Sequence, residues 1–277
     1  MSAPSGNTVL VTHRPTLRER LEPAAHAWRP LVGTWIVLFA VVTAAGLLLV
    51  GPFADGSVAR ADLHLAQWFA DHRTPLLDVM AESGTWLAET ITVPAVLVVA
   101  IIVTWRVSDA VAAPVFLALA VGGEKLLYLL SSVIVGRDRP PVPTVGTSYA
   151  TSSFPSGHVA SAVTLYGAVA LVIALRRSTA VRRALLALVG VIATVVALCR
   201  MYCGFHYLSD TIAGAIVGAI WLTVVYRTVL RETSPVPAAT GAVDSAEGAR
   251  QRTARSPKLI EPDRPRNASI GSRTSSM

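Results

Sequence analysis

The sequence predicts an all-α polytopic membrane protein: six transmembrane helices in one bundle, with the N- and C-termini both cytoplasmic. Three observations carry this. Of the 277 residues, 53% are hydrophobic and only 15% charged, where a soluble domain carries about 25% charged residues. The apolar residues are concentrated in continuous runs in the middle of the chain, and both ends are polar. Basic residues flank alternate ends of those runs, the pattern that orients a membrane protein.

A bilayer-crossing helix needs about 20 mostly apolar residues. Six segments qualify: Leu31–Phe53, Thr90–Val107, Ala110–Val135, Val159–Leu175, Leu185–Cys203 and Thr211–Leu230. Their apolar residues are continuous and do not alternate with polar ones, so helices are expected and not barrel strands. The first run follows a polar segment with no small-residue cleavage site, and reads as a retained anchor. A cytoplasmic N-terminus puts residues 1–30, the turn near Arg106, the turn 176–184 and the C-terminal tail inside. Those segments hold Arg14, Arg18, Arg20, Arg29, Arg176, Arg177, Arg182 and Arg183, and most of the other basic residues. Outside lie 54–89, 136–158 and 204–210. The first of these is acidic, with Asp55, Asp62, Asp71, Asp78, Glu82 and Glu89 against Arg60 and Arg73.

Within 54–89, Leu63, Leu65, Trp68, Phe69, Leu76 and Leu77 alternate with polar residues. A short amphipathic helix in the interface is expected there, as a lid or lipid guide or as packing over the bundle. The domain organisation is a cytoplasmic segment 1–30, a membrane domain 31–230 and a disordered cytoplasmic tail 231–277 rich in Ser, Thr, Pro, Ala and Arg.

The net charge of +7 does not indicate nucleic acid, because the cations flank apolar spans and no folded basic domain remains to hold one. Contact with anionic lipid heads is a by-product of that placement. Cys199 and Cys203, one helical turn apart, form neither a disulfide framework nor a metal site, and are expected as small buried residues at a helix end.

The chemistry lies in two outer segments, GRDRPPVPTVGTSYATSSFPSGH (136–158) and CRMYCGFHYLSD (199–210). One span carries the chain inward from His158 and the next returns it to Arg200. Topology alone therefore sets Arg139, His158, Arg200 and His206 at one membrane depth. Arg139 and Arg200 offer planar forks that match phosphate oxygens, and Arg137 adds a third positive charge. Pro155-Ser156-Gly157 turns the chain just before a helix, where the Gly157 N–H can point at an anion. Ser156 either joins that anion site or caps the helix. His206 and Asp210, four apart, share a helix face, so the carboxylate can hold one imidazole nitrogen and leave the other as a nucleophile. His158 is then the acid. These are the parts of a phosphoryl-transfer site.

The arrangement resembles the type-2 phosphatidic acid phosphatase superfamily of membrane lipid phosphatases over about residues 31–230. That family's second motif stands intact as Pro155-Ser156-Gly157-His158. Its third stands as Cys199-Arg200, five residues, His206, three residues, Asp210, with Cys in place of Ser. Its first keeps Arg139-Pro140 but has Ser132 in place of the lysine. Lys125 lies seven residues earlier, about 10 Å deeper on a helix, so Arg137 is the better candidate for the missing charge. Glu124 and Lys125, charges inside a span, form either a structural pair or part of a polar cavity.

The resemblance implies a phosphohistidine intermediate. Arg139, Arg200, Gly157 and Ser156 hold the phosphate, with His206 as nucleophile, Asp210 as its orienter and His158 as acid and then base. It implies no cofactor and no metal, a lipid phosphate or pyrophosphate of the phosphatidic acid or undecaprenyl type as substrate, and the bilayer as the other partner. The location expected is the cytoplasmic membrane, with the site on the extracytoplasmic side. The alternative is a catalytically silent lipid-binding or transport protein on the same fold. The family's vanadate-binding, halide-oxidising relatives are soluble, which sets them aside.

Overall fold

The computed structural model describes residues 17–107, 111–147 and 152–231, with side chains described from Trp28 to Leu230 within those ranges. They belong to one compact unit, Met1–Ser234. The expected tail lies outside the described residues apart from Arg231, and only residues 17–30 of the expected N-terminal segment are described.

Regular structure among the described residues is helical throughout. The elements are α1 (Leu17–Val50), α2 (Ser57–Asp71), α3 (Pro75–Thr85), α4 (Thr92–Val107), α5 (Ala112–Val135), α6 (Gly157–Ala174), α7 (Thr179–Tyr202) and α8 (Leu208–Val225). A 3₁₀ turn, Trp86–Ala88, follows α3, and a π-turn, Tyr226–Arg231, continues α8. Five helices are long and apolar enough to cross a membrane on their own: Trp28–Val50 within α1, α5, α6, α7, and α8 with its π-turn. The second expected span differs. α4 has 16 residues and reaches crossing length only with Pro75–Ala88, from which it is bent by 42°. The break falls where the sequence turns polar, at Glu89 and Thr90. Segment 54–89 also holds two helices and a 3₁₀ turn where one short helix is expected. Thr74 divides them: its hydroxyl accepts from the Leu77 N–H, and Pro75 starts α3.

α6 is the central helix. In its crossing window 67% of the residues are buried, against 44% or less in the other four. It packs on α5, α7 and α8. Small residues let it do so: Gly214 and Gly218 on α8 lie against the Ser156 and Ala160 carbonyls, and such close backbone approach is how helices associate without water to drive them together. Phe116, Leu117, Ala120 and Leu127 of α5 fill the space between α1 and α8 with Leu38, Val42, Trp221 and Val225. Apolar side chains such as Ile36, Val41, Val99, Ile102, Leu188 and Ile216 are exposed on the outside of the bundle, as lipid-facing residues should be.

The charges inside α5 have local partners. Glu124 is fully buried, and its Oε2 accepts from Ser161 Oγ at 3.0 Å. Lys125 Nζ sits over the Tyr128 ring, 5.6 Å from its centroid. The cysteines are free thiols. Cys203 caps α7, and burial pushes its thiol up to about 11, which keeps it unreactive.

Candidate active site

The ends of the helices sort into two sets. One carries Arg29, Arg106, the turn with Arg176, Arg177, Arg182 and Arg183, and Arg227. The other gathers the loops before α4, between α5 and α6, and between α7 and α8. The sequence-predicted site residues are all at this second end, and the three loops are bonded to one another. α5 ends at Gly136, whose positive φ of 58° suits a residue without Cβ and lets its N–H return to the Ser132 carbonyl at 3.0 Å. The next residue's carbonyl accepts from the Ser153 N–H at 2.8 Å, and the Asp138 carbonyl accepts from Ser153 Oγ at 3.0 Å. The Ser156 N–H donates to the Asp210 carbonyl at 3.0 Å, and the Val145 N–H to the Cys203 carbonyl at 3.1 Å.

His206 is 3% exposed and its Nδ1 lies 2.7 Å from the Ser153 carbonyl oxygen. A carbonyl only accepts, so Nδ1 carries the proton and Nε2 keeps its lone pair. Asp210 was the expected orienter. Its Oδ2 is 3.8 Å from Nδ1, an ion-pair distance and not a hydrogen bond, and accepts instead from the Tyr207 N–H at 2.8 Å. Four-residue spacing does put the two side chains on one face, but Asp210 is the third residue of α8 and turns back to cap it. Burial lowers the His206 pKa below the usual 6.5, and Asp210 opposes this only in part.

Arg137 was expected as an additional phosphate cation. Its guanidinium instead bridges Asp210 Oδ1 at 2.5 Å and Asp62 Oδ2 at 2.9 Å, donates to Ser209 Oγ at 2.7 Å and lies over the Tyr207 ring. Burial works against its charge, but the two carboxylates outweigh it and raise its pKa. Asp62, reaching in from α2, also accepts from the Ser209 N–H at 3.0 Å and from its hydroxyl. Arg73 makes the matching tie at the end of α2, donating to the Tyr202 and Pro143 carbonyls. The α2–α3 segment is thus fastened to the α7–α8 turn at two points, as a roof.

Arg200 is 1% exposed and its guanidinium lies 4.3 Å from the Phe205 centroid; that of Arg139 lies 5.1 Å from the same ring. One aromatic ring therefore sets the place of both cations. His158 stands at the N-terminal turn of α6, its ring centroid 6.5 Å from that of His206. Gly157 opens α6, where the first N–H groups have no carbonyl within the helix to bond, and its α-carbon faces the Tyr128 ring, which leaves no room for a Cβ. Ser156 occupies the cap position, yet its side chain makes no capping bond, and Oγ is buried with no hydrogen-bond partner among the described residues. At the place of the missing lysine, Ser132 Oγ donates to the Leu129 carbonyl. No group of three or more His, Cys, Asp or Glu among the described residues is placed to hold a metal ion.

Sequence reasoning missed Ser153, Phe205, Asp62 and Glu89. The Ser153 contact is made by a backbone carbonyl, which leaves no mark in residue type. Glu89 did leave one, as a carboxylate immediately before a span at the site's end of the molecule. Its Oε1 is 3.4 Å from His158 Nε2 and 3.9 Å from Arg200 Nη1.

Fold and site together define a multi-pass, all-helical membrane protein with a histidine-and-arginine cluster at one end of its bundle. Residues 113–234 match the family model of the PAP2 superfamily. Its fold is similar to that of the first transmembrane PAP2 type phosphatidylglycerolphosphate phosphatase from Bacillus subtilis, with a TM-score of 0.58 and 21% identity, over 74% of this chain and 94% of that one. Aquifex aeolicus LpxE matches over 60% of this chain and 95% of its own, with 23% identity and a TM-score of 0.48. No curated protein matches the chain.

Proposed function

We propose that the protein is a metal-independent lipid phosphatase that works through a phosphohistidine on His206, with its site on the extracytoplasmic face of the cytoplasmic membrane. The observation that carries this reading is the His206 tautomer. With Nδ1–H given to the Ser153 carbonyl, Nε2 is an unprotonated nucleophile in a buried, cation-lined place. Arg139, Arg200, the N–H groups at the start of α6 and Ser156 Oγ hold the phosphate. Nε2 of His206 attacks phosphorus in line, His158 protonates the departing lipid oxygen, and His158 then takes a proton from the water that hydrolyses the phosphohistidine. Asp210 acts by fixing the α8 N-terminus and Arg137 beneath the nucleophile.

The orientation is supported by the charge at the other end. Arg106, Arg176, Arg177, Arg182, Arg183 and Arg227 lie there, and basic ends stay cytoplasmic. The domain limits follow: a membrane phosphatase domain over 31–230, with cytoplasmic segments before and after it. The substrate is an amphiphile carrying a phosphate monoester or pyrophosphate, of the phosphatidic acid or undecaprenyl type. The test is phosphate release by the detergent-purified protein in EDTA, from undecaprenyl pyrophosphate, phosphatidic acid, phosphatidylglycerol phosphate and a soluble ester. Release that disappears in His206→Ala, by about 10⁴-fold or more as for other nucleophiles, is expected. A folded protein that releases nothing from any lipid overturns the proposal in favour of a silent lipid-binding protein.

A further inference from the structure

Glu89 has no part in the chemistry above, yet it faces the centre of the site. It lies in the break between the 3₁₀ turn and α4, with its side chain 31% exposed. Its Oε2 accepts from the Thr90 N–H at 3.2 Å, which aims the other oxygen inward. That one oxygen, Oε1, meets both His158 Nε2 and Arg200 Nη1. The hydrogen bond to His158, with the Arg200 charge behind it, holds the Glu89 carboxyl below its ordinary range, so it is an anion at neutral pH.

From this geometry we infer that Glu89 is an internal anion that holds the place of the phosphate between His158 and Arg200 and competes with it for the site. This rests on the phosphatase reading insofar as that reading makes His158 and Arg200 the phosphate's neighbours. A phosphate oxygen bonded to Arg200 within reach of His158 falls where Glu89 Oε1 now stands, and two anions cannot share the place. Glu89 can give way. At 31% its side chain is more exposed than those of Arg200 at 1%, His206 at 3% and His158 at 18%. Beyond its contacts with His158 and Arg200, its side chain is tied to the protein by the Thr90 N–H at a bend. The carboxylate keeps a buried guanidinium compensated while the site is empty, and sets a threshold that only a strongly bound anion crosses.

Binding of inorganic phosphate, measured by titration calorimetry on the full-length protein in detergent, tests this without turnover. Glu89→Gln is expected to bind phosphate about tenfold more tightly, the order expected on removing a like charge a few ångströms away. Glu89→Asp, one methylene shorter and still charged, falls between the two. A short-chain lysophosphatidic acid, titrated into both forms on a His206→Ala background so that it is not turned over, gains by the same factor if the competition is for the phosphate and not the tail. Binding that is unchanged or weaker in Glu89→Gln, with an unaltered unfolding temperature, overturns the inference and makes Glu89 a prop for His158 and Arg200. Absence of phosphate binding in every form also overturns it. Tighter phosphate binding without any lipid hydrolysis would sink the phosphatase reading and leave the competition standing.

Discussion

Replacing Arg137 with methionine tests whether this cation belongs to the scaffold or to the phosphate. Its guanidinium is 8% exposed and stands between Asp62, at 3%, and Asp210, at 0%. Methionine fills most of its volume but leaves two buried carboxylates facing each other without a cation. Removing one partner of a buried pair costs about 3–5 kcal/mol. Asp62→Asn is milder, because Arg137 keeps Asp210 and the amide oxygen still accepts from the Ser209 N–H; the loss of one charge-assisted bond costs about 2 kcal/mol. In thermal unfolding in detergent these become drops of roughly 10 °C and roughly 5 °C. The inhibition constant for inorganic phosphate should stay where it is in both variants, since neither side chain reaches the cluster of His158 and Arg200. The reasoning fails if Arg137→Met unfolds within two or so degrees of the wild type (about the effect of a surface change), or if Asp62→Asn costs as much. A tenfold or larger loss of phosphate affinity in Arg137→Met would return that residue to the phosphate.

Two further outcomes can be checked. Burial keeps His206 neutral down to pH values below its ordinary 6.5, so the acid limb of kcat/KM should have its midpoint below 6.5, and a midpoint above it would contradict the buried nucleophile. The same depression makes stability complete above the unfolded-state value and lost as pH falls through the folded one; Glu89, also depressed, adds a second loss below 4.5. Gly214→Ala sets a Cβ hard against the Ser156 carbonyl oxygen and should cost about 1–3 kcal/mol by overpacking while lowering kcat. Gly190→Ala, with nothing within 4 Å of its Cβ, is the control and should be neutral or slightly stabilising.

The helical fold was legible because apolar runs of bilayer length have few alternatives, and five of the six are single helices. The second, Thr90–Val107, is also a helix, α4, but it reaches crossing length only together with Pro75–Ala88, from which the polar break at Glu89 and Thr90 bends it by 42°, a direction that hydropathy does not record. The convergence of Arg139, His158, Arg200 and His206 followed from connectivity alone. What they bond to did not. The Arg137–Asp62 pair joins residues 75 apart in sequence, and an arginine beside a phosphate motif looks the same whether it faces an anion or a carboxylate. Spacing put Asp210 on the face of His206, but could not say that its oxygens would be taken by Arg137 and the Tyr207 N–H first.

The shortness of α4 has a consequence for the bilayer itself. Sixteen residues rise about 24 Å, less than the ~30 Å of hydrocarbon in an ordinary membrane. Lipids along this wall must compress, or the 3₁₀ turn and α3 must sink into them at a slant. In the first case the water boundary dips beside the bend, at Glu89 and next to His158. On the proposed lipid-phosphatase reading, a substrate lipid following that slope would bring its head group toward the cluster while its tail stays in the membrane. Thicker bilayers would steepen the slope and raise the cost of keeping it, so the local depth of the membrane becomes a variable of the site.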